Sequence, residues 1–128
     1  MEQGRSLIMV SRIGDVSVVT FLTSQVLDEM NVQELGKELT ALAEGEPGLK
    51  MVINFSKIKF LSSAVLGKLI ALNKKVSADK GRLVFCNINK DIMQVFKITR
   101  LDKLIPIYPD EDDAVKGVLK PGLFGRYR

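Results

Sequence analysis

The chain has 128 residues, with 19 Lys and Arg against 15 Asp and Glu, one cysteine, and neither histidine nor tryptophan. That length suits one domain able to bury about two thirds of its unfolded surface without staples. Four of the 19 basic residues, Lys116, Lys120, Arg126 and Arg128, lie near the C-terminus, so the 15 that remain balance the 15 acids and leave the body neutral, which argues against a nucleic-acid partner.

Taken in chain order, Met1–Gly4 is polar, and the apolar run Leu7–Val10 is broken by Ser11 and Arg12, so no secretory signal is expected. No run approaches the roughly 20 apolar residues that span a bilayer, so no membrane partner is expected either. Leu7–Arg12 and Val16–Phe21 read as strands, and Gly14-Asp15 between them predicts a hairpin. Leu22–Met30 reads as a loop. Asn31 with Glu34 three residues on makes a capping-box pattern, and Val32, Leu35, Leu39 and Leu42 follow at helical spacing. Gly45, Pro47 and Gly48 end that helix.

Leu49–Phe55 reads as a mostly buried strand, followed by the loop Ser56–Leu61 and the pair Ser62-Ser63. Ala64–Lys80 is helical, with Val65, Leu69, Leu72 and Val76 as its apolar stripe and Gly81 as its stop. Arg82–Cys86 is a short strand. Asn87 or Asn89 caps a third helix carrying Ile92, Val95 and Phe96. Leu104–Tyr108 reads as a last strand, which Pro106 assigns to a sheet edge. Asp110–Asp113 open a final short helix, where its dipole favours acids. The expected organisation is one domain over residues 1–118 and a flexible basic tail over 119–128. Strands alternating with helices imply an α/β fold, with a mixed four- to five-stranded sheet, an N-terminal β-hairpin and about four helices.

Absences narrow the chemistry. Without histidine there is no Ser-His-Asp catalysis and no histidine metal site. The lone Cys86 excludes an intrachain disulfide and a cysteine-ligated zinc centre, and fits a reducing compartment. No glycine-rich phosphate loop and no Gly-x-Ser-x-Gly elbow is present. No catalytic residue, cofactor or metal site is therefore expected, and the acids Asp110–Asp113 read as a solvated helix start.

One constellation remains, the junction Ile53-Asn54-Phe55-Ser56-Lys57-Ile58-Lys59-Phe60-Leu61-Ser62-Ser63-Ala64-Val65-Leu66-Gly67. Two hydroxyls stand where a helix begins. One can serve as a cap. The second, beside free N–H groups and a positive dipole end, can take a phosphoryl group. Spacing alone leaves both readings open.

This junction resembles the signature of STAS domains, the sulfate transporter and anti-sigma factor antagonist family, commonly Asp-Ser-Ser-Gly-Leu-Gly between a strand and a helix. Ser62 and Ser63 match the serines, whereas Leu61 replaces Asp, Ala64 and Leu66 replace the two Gly, and Val65 replaces Leu. The resemblance runs along Leu7–Val115 and includes Gly81–Asn87 and Val95–Leu104. It implies a cytoplasmic, bacterial, non-enzymatic switch. Ser62 would be phosphorylated, with Ser63 as the alternative acceptor and expected helix cap. The unphosphorylated form would bind an anti-sigma factor that is also a serine protein kinase, and a serine phosphatase would reverse the modification. The expected partner-binding residues are Thr23, Ser24, Gln25, Lys57, Lys59, Leu61, Ser63, Ala64, Lys68, Asn87 and Asn89, on a monomer or weak dimer. Two rivals stand beside this reading. One is a STAS scaffold or assembly module that is never phosphorylated, favoured by Leu61. The other is a small-molecule or nucleotide-binding enzyme on a flavodoxin-like scaffold.

Overall fold

The N-terminal hairpin closes where a glycine can adopt positive φ. β1 (Ile8–Ile13) and β2 (Val16–Phe21) pair antiparallel, Ile13 opposite Val16, and Gly14 turns at φ +59. The computed structural model describes residues 6–120; of the flexible tail expected at 119–128, Leu119 still belongs to the last helix, and the part after Lys120 lies outside the described residues. After a two-residue strand β3 (Gln25–Val26) come α1 (Glu29–Glu44), β4 (Lys50–Asn54), a second two-residue strand β5 (Phe60–Leu61) and α2 (Ser63–Ala78). The chain continues through β6 (Arg82–Cys86), α3 (Lys90–Ile98), the single turn α4 (Leu101–Leu104), β7 (Ile107–Tyr108) and α5 (Glu111–Leu119).

The main sheet has the order β1-β2-β4-β6-β7, and every pair beyond the hairpin is parallel. Its central strand carries Met51, Val52 and Ile53 in succession, all buried, because both faces are covered. On one face lie α1 through Val32, Leu35 and Leu39, α2 through Val65, Leu69, Leu72 and Val76, and α3 and α4 through Phe96 and Leu101. On the other, Ala114 and Val118 of α5 pack against Val16, Val18, Val52, Val84, Cys86 and Tyr108. This is the expected α/β architecture with a mixed sheet, and the extra turn α4 brings the helices among the described residues to five.

The boundaries differ in places. α1 begins at Glu29, not at Asn31: Asp28 is the cap, extended, with its carboxylate accepting from the Asn31 N–H at 2.8 Å. The segment read as a loop before it contains β3. Of the two caps left open for α3, Asn89 serves, accepting from the Ile92 N–H at 2.8 Å. Val95 fits the helical period but is exposed on α3. The stretch Leu104–Tyr108 is not one strand, because Leu104 closes α4 and only Ile107–Tyr108 pair with β6. Pro106 sits before that edge strand, where its carbonyl accepts from the Phe85 N–H at 2.9 Å.

Candidate functional site

Because β2, β4 and β6 run parallel, the segments that leave their C-terminal ends gather at one edge of the sheet. They carry Thr23–Gln25, Lys57–Leu61 and Asn87–Asn89, so the sheet brings together residues separated by more than sixty positions in sequence.

Two buried side chains, Phe55 and Ile58, pin the loop after β4. Phe55 packs on three other rings, with centroid distances of 4.9 Å to Phe85, 5.3 Å to Phe21 and 5.9 Å to Phe96. Between the two anchors the chain makes an Asx-type turn, in which the Ser56 N–H donates to Asn54 Oδ1 at 2.8 Å. The Asn54 amide donates to Glu111 Oε1 at 2.9 Å, which ties the loop to α5. Asn89 Nδ2 donates to the Ile58 carbonyl at 3.2 Å and ties it to α3.

Beyond Ile58 the loop becomes β5, paired parallel with β3, Gln25 opposite Phe60 and Val26 opposite Leu61. The Lys59 N–H donates to Ser24 O at 2.7 Å and the Ser62 N–H to Val26 O at 3.1 Å. This small second sheet holds Ser62 in an extended conformation (φ −79, ψ 159) where α2 begins. Val26 points inward and is buried; Gln25 and Phe60 point outward, Phe60 with 61% of its surface exposed.

Ser62, not Ser63, occupies the cap position, and its side chain caps nothing. Its Oγ is buried without a hydrogen-bond partner among the described residues, whereas a phosphoacceptor has to be open to a kinase. Leu61, Leu66, Ile92, Val95 and Phe96 join Ser62 around a cavity of about 250 Å³ between α2 and α3. Ser63 and Ala64 are exposed on the first turn of α2. No acidic residue stands in that turn, which leaves its N–H groups facing no anionic side chain.

The other expected site residues divide by position. Thr23 Oγ1 donates to the Gln25 carbonyl at 3.1 Å and shapes the approach to β3. Ser24, Lys57 and Lys59 are exposed beside Phe60, and Leu61 is half-buried. Lys68 lies farther along α2 and bridges to α1, its ammonium donating to Gln33 Oε1 at 3.0 Å. Asn87 holds a left-handed conformation (φ 59), and its buried Oδ1 has no partner among the described residues. Beneath it Cys86 ends β6, where burial pushes the thiol pKa up to about 12, with Glu111 and Asp110 adding to the rise. Among the described residues no group of three or more acids and thiols could hold a metal ion, and no helix is long and apolar enough to cross a membrane.

Sequence reasoning did not find the exposed Phe60, the Asn54–Glu111 bond or the β3–β5 pairing. The only signals were single apolar residues at Val26 and Leu61, too few to show a period.

Residues 8–114 match the family described as the STAS domain. The chain belongs to that family. Among related STAS sequences, a Bordetella bronchiseptica protein provisionally named anti-sigma factor antagonist BtrV is 26% identical over 90 residues, 70% of this chain and 76% of that one. Among solved structures, an anti-sigma factor antagonist from Mycobacterium paratuberculosis superposes with a TM-score of 0.78 at 27% identity, covering 88% of this chain and 93% of that one. A STAS domain protein of Planctomyces limnophilus superposes with a TM-score of 0.79 at 20% identity, covering 90% and 99% of the two chains, a likeness of fold alone.

Proposed function

We propose that this STAS protein is an anti-sigma factor antagonist, a non-enzymatic and cytoplasmic binding switch in transcriptional regulation, with Ser62 as its phosphoacceptor. Family membership together with a serine pair at the start of α2 supports the reading most directly. The binding face is the edge formed by Thr23–Gln25, Lys57–Leu61, the first turn of α2 and Asn87–Asn89. The partner is an anti-sigma factor that doubles as a serine kinase, and a serine phosphatase restores the unmodified form.

The chemistry follows from charge. A phosphoryl group adds about −1.5 to −2 at neutral pH. At the start of α2 it meets N–H groups and the positive dipole end, so the modified protein stays folded. Inside an interface that includes Phe60 and Leu61, the same charge must lose water, and the complex weakens. A hundredfold loss of affinity needs only about 2.7 kcal/mol. Because the Ser62 hydroxyl is buried, the kinase must engage a rotamer that turns it outward. That reorientation breaks no hydrogen bond to the described residues, since the hydroxyl has no partner among them.

The experiment is a binding series with the cognate anti-sigma factor. Ser62→Ala should bind as tightly as wild type, and Ser62→Glu at least tenfold more weakly. Equal binding by both variants would refute the switch. Incubation with the kinase and ATP should add one phosphate, lost in Ser62→Ala. Phosphate retained by Ser62→Ala and lost in Ser63→Ala would move the acceptor to the exposed neighbour. The buried Oγ is also the observation that favours a second reading, an unphosphorylated STAS scaffold; absence of any phosphate on the wild-type chain would select it.

A further inference from the structure

β1 is an edge strand of the main sheet, and its pairing pattern shows which backbone groups are free. The Leu22 N–H donates to the Leu7 carbonyl at 2.9 Å, and Ile13 faces Val16 across the two-residue turn. Alternation then makes Met9, Ser11 and Ile13 the residues that bond to β2, so the N–H and C=O groups of Ile8, Val10 and Arg12 point away from the sheet. Those of Ile8 are closed off: its N–H donates to Ser6 Oγ at 3.3 Å, and its carbonyl lies 2.7 Å from the same hydroxyl. Those of Val10 and Arg12 have no partner among the described residues.

The side chains point the same way. Met9, Val10 and Ile13 are 51%, 40% and 45% exposed, unusual for an edge that lacks lysine or proline. The strand's one charge, on Arg12, is matched by Glu46 at 2.9 Å, so two copies can approach without like-charge repulsion.

We propose that two copies of this chain pair antiparallel through β1, about a two-fold axis at Ser11. In that register Val10 faces Arg12 of the second copy twice, giving hydrogen bonds to each backbone group that Ser6 leaves open. Ser11 faces Ser11. Met9 faces Ile13 twice on the face of the sheet away from α1, and each covers an exposed apolar side chain with another. The alternative axis through Val10 would require the Ile8 groups already closed by Ser6. An edge contact of this length falls below the ~1,200 Å² of a standard interface, so the dimer is weak and concentration-dependent. It leaves the Ser62 surface free, since that surface lies at the C-terminal ends of β2, β4 and β6.

Sedimentation equilibrium on the full chain, from micromolar to millimolar concentration, tests the proposal. Wild type should show a reversible monomer–dimer equilibrium. Val10→Pro deletes an outward N–H that β2 does not use, so it should fold with an unchanged circular dichroism spectrum and raise the dissociation constant at least tenfold. Mild oxidation should cross-link Ser11→Cys rapidly and Asp15→Cys slowly, since Cys86 is buried and position 15 does not face itself. A wild-type chain that stays monomeric at millimolar concentration, a folded Val10→Pro that dimerises as well as wild type, or equal cross-linking at both positions would overturn it.

Discussion

Ser62→Ala is expected to leave the fold as stable as wild type or more so, the opposite of what this substitution usually does at a helix start. A serine at a working cap contributes about 1 kcal/mol, lost on mutation to alanine. That contribution is missing here, because the Ser62 side chain makes no capping bond. A buried hydroxyl without a partner instead costs about 1–3 kcal/mol of desolvation. Water reaching the adjoining cavity of about 250 Å³ would recover part of that cost, so the net expectation is a gain between zero and about 1 kcal/mol. For a domain of this size 1 kcal/mol corresponds to roughly 4 °C in Tm. Urea unfolding of wild type and Ser62→Ala, with Ser63→Ala as the exposed control, measures the difference. A loss of about 1 kcal/mol or more in Ser62→Ala would refute the reasoning and show that the hydroxyl caps α2 in solution.

Leu69 is fully buried under the sheet, and Leu69→Ala should cost about 2–5 kcal/mol in urea unfolding; a cost under 1 kcal/mol would mean that the site collapses around the void. Two glycine substitutions should differ in sign. A Cβ on Gly81 would collide with the Leu49 carbonyl oxygen, so Gly81→Ala should lower Tm sharply, whereas Gly67→Ala meets nothing within 4 Å at an exposed position of α2 and should gain about 0.5–1 kcal/mol. Cys86 should resist iodoacetamide in the native protein and react after unfolding. Because its folded pKa is raised to about 12, its contribution to stability is intact below the unfolded thiol's value, about 8.5, and is lost as pH rises from there toward 12; urea midpoints across that range should fall less in Cys86→Ala than in wild type.

Periodicity was a sound guide wherever an element was long enough to show one. The stripe Val65, Leu69, Leu72 and Val76 is buried, and the successive apolar residues of β4 correctly implied a mostly buried strand. It could not detect β3 and β5, because two residues do not make a period, and their pairing depends on a contact between positions 25 and 60. The boundary of α1 was misread for a different reason. Asp28 and Asn31 are both good caps, and the apolar spacing that follows suits either; the extended backbone at Asp28 decides between them. At the site, the serine pair was legible as a motif, but the direction of the Ser62 hydroxyl was not. It depends on packing between α2 and α3, which local sequence does not encode.

The ring contacts of Phe55 bear on how genetic data for this protein should be read. Phe55 stands four residues before Lys59 and supports the loop from below, in contact with Phe21, Phe85 and Phe96. A random-mutagenesis screen scored only by loss of interaction would therefore recover these four phenylalanines alongside any surface residue. Their hits would map a foundation and not a footprint. Scoring soluble abundance in parallel separates the two classes, since a surface change such as Phe60→Ala should leave abundance intact while a change at Phe55 lowers it.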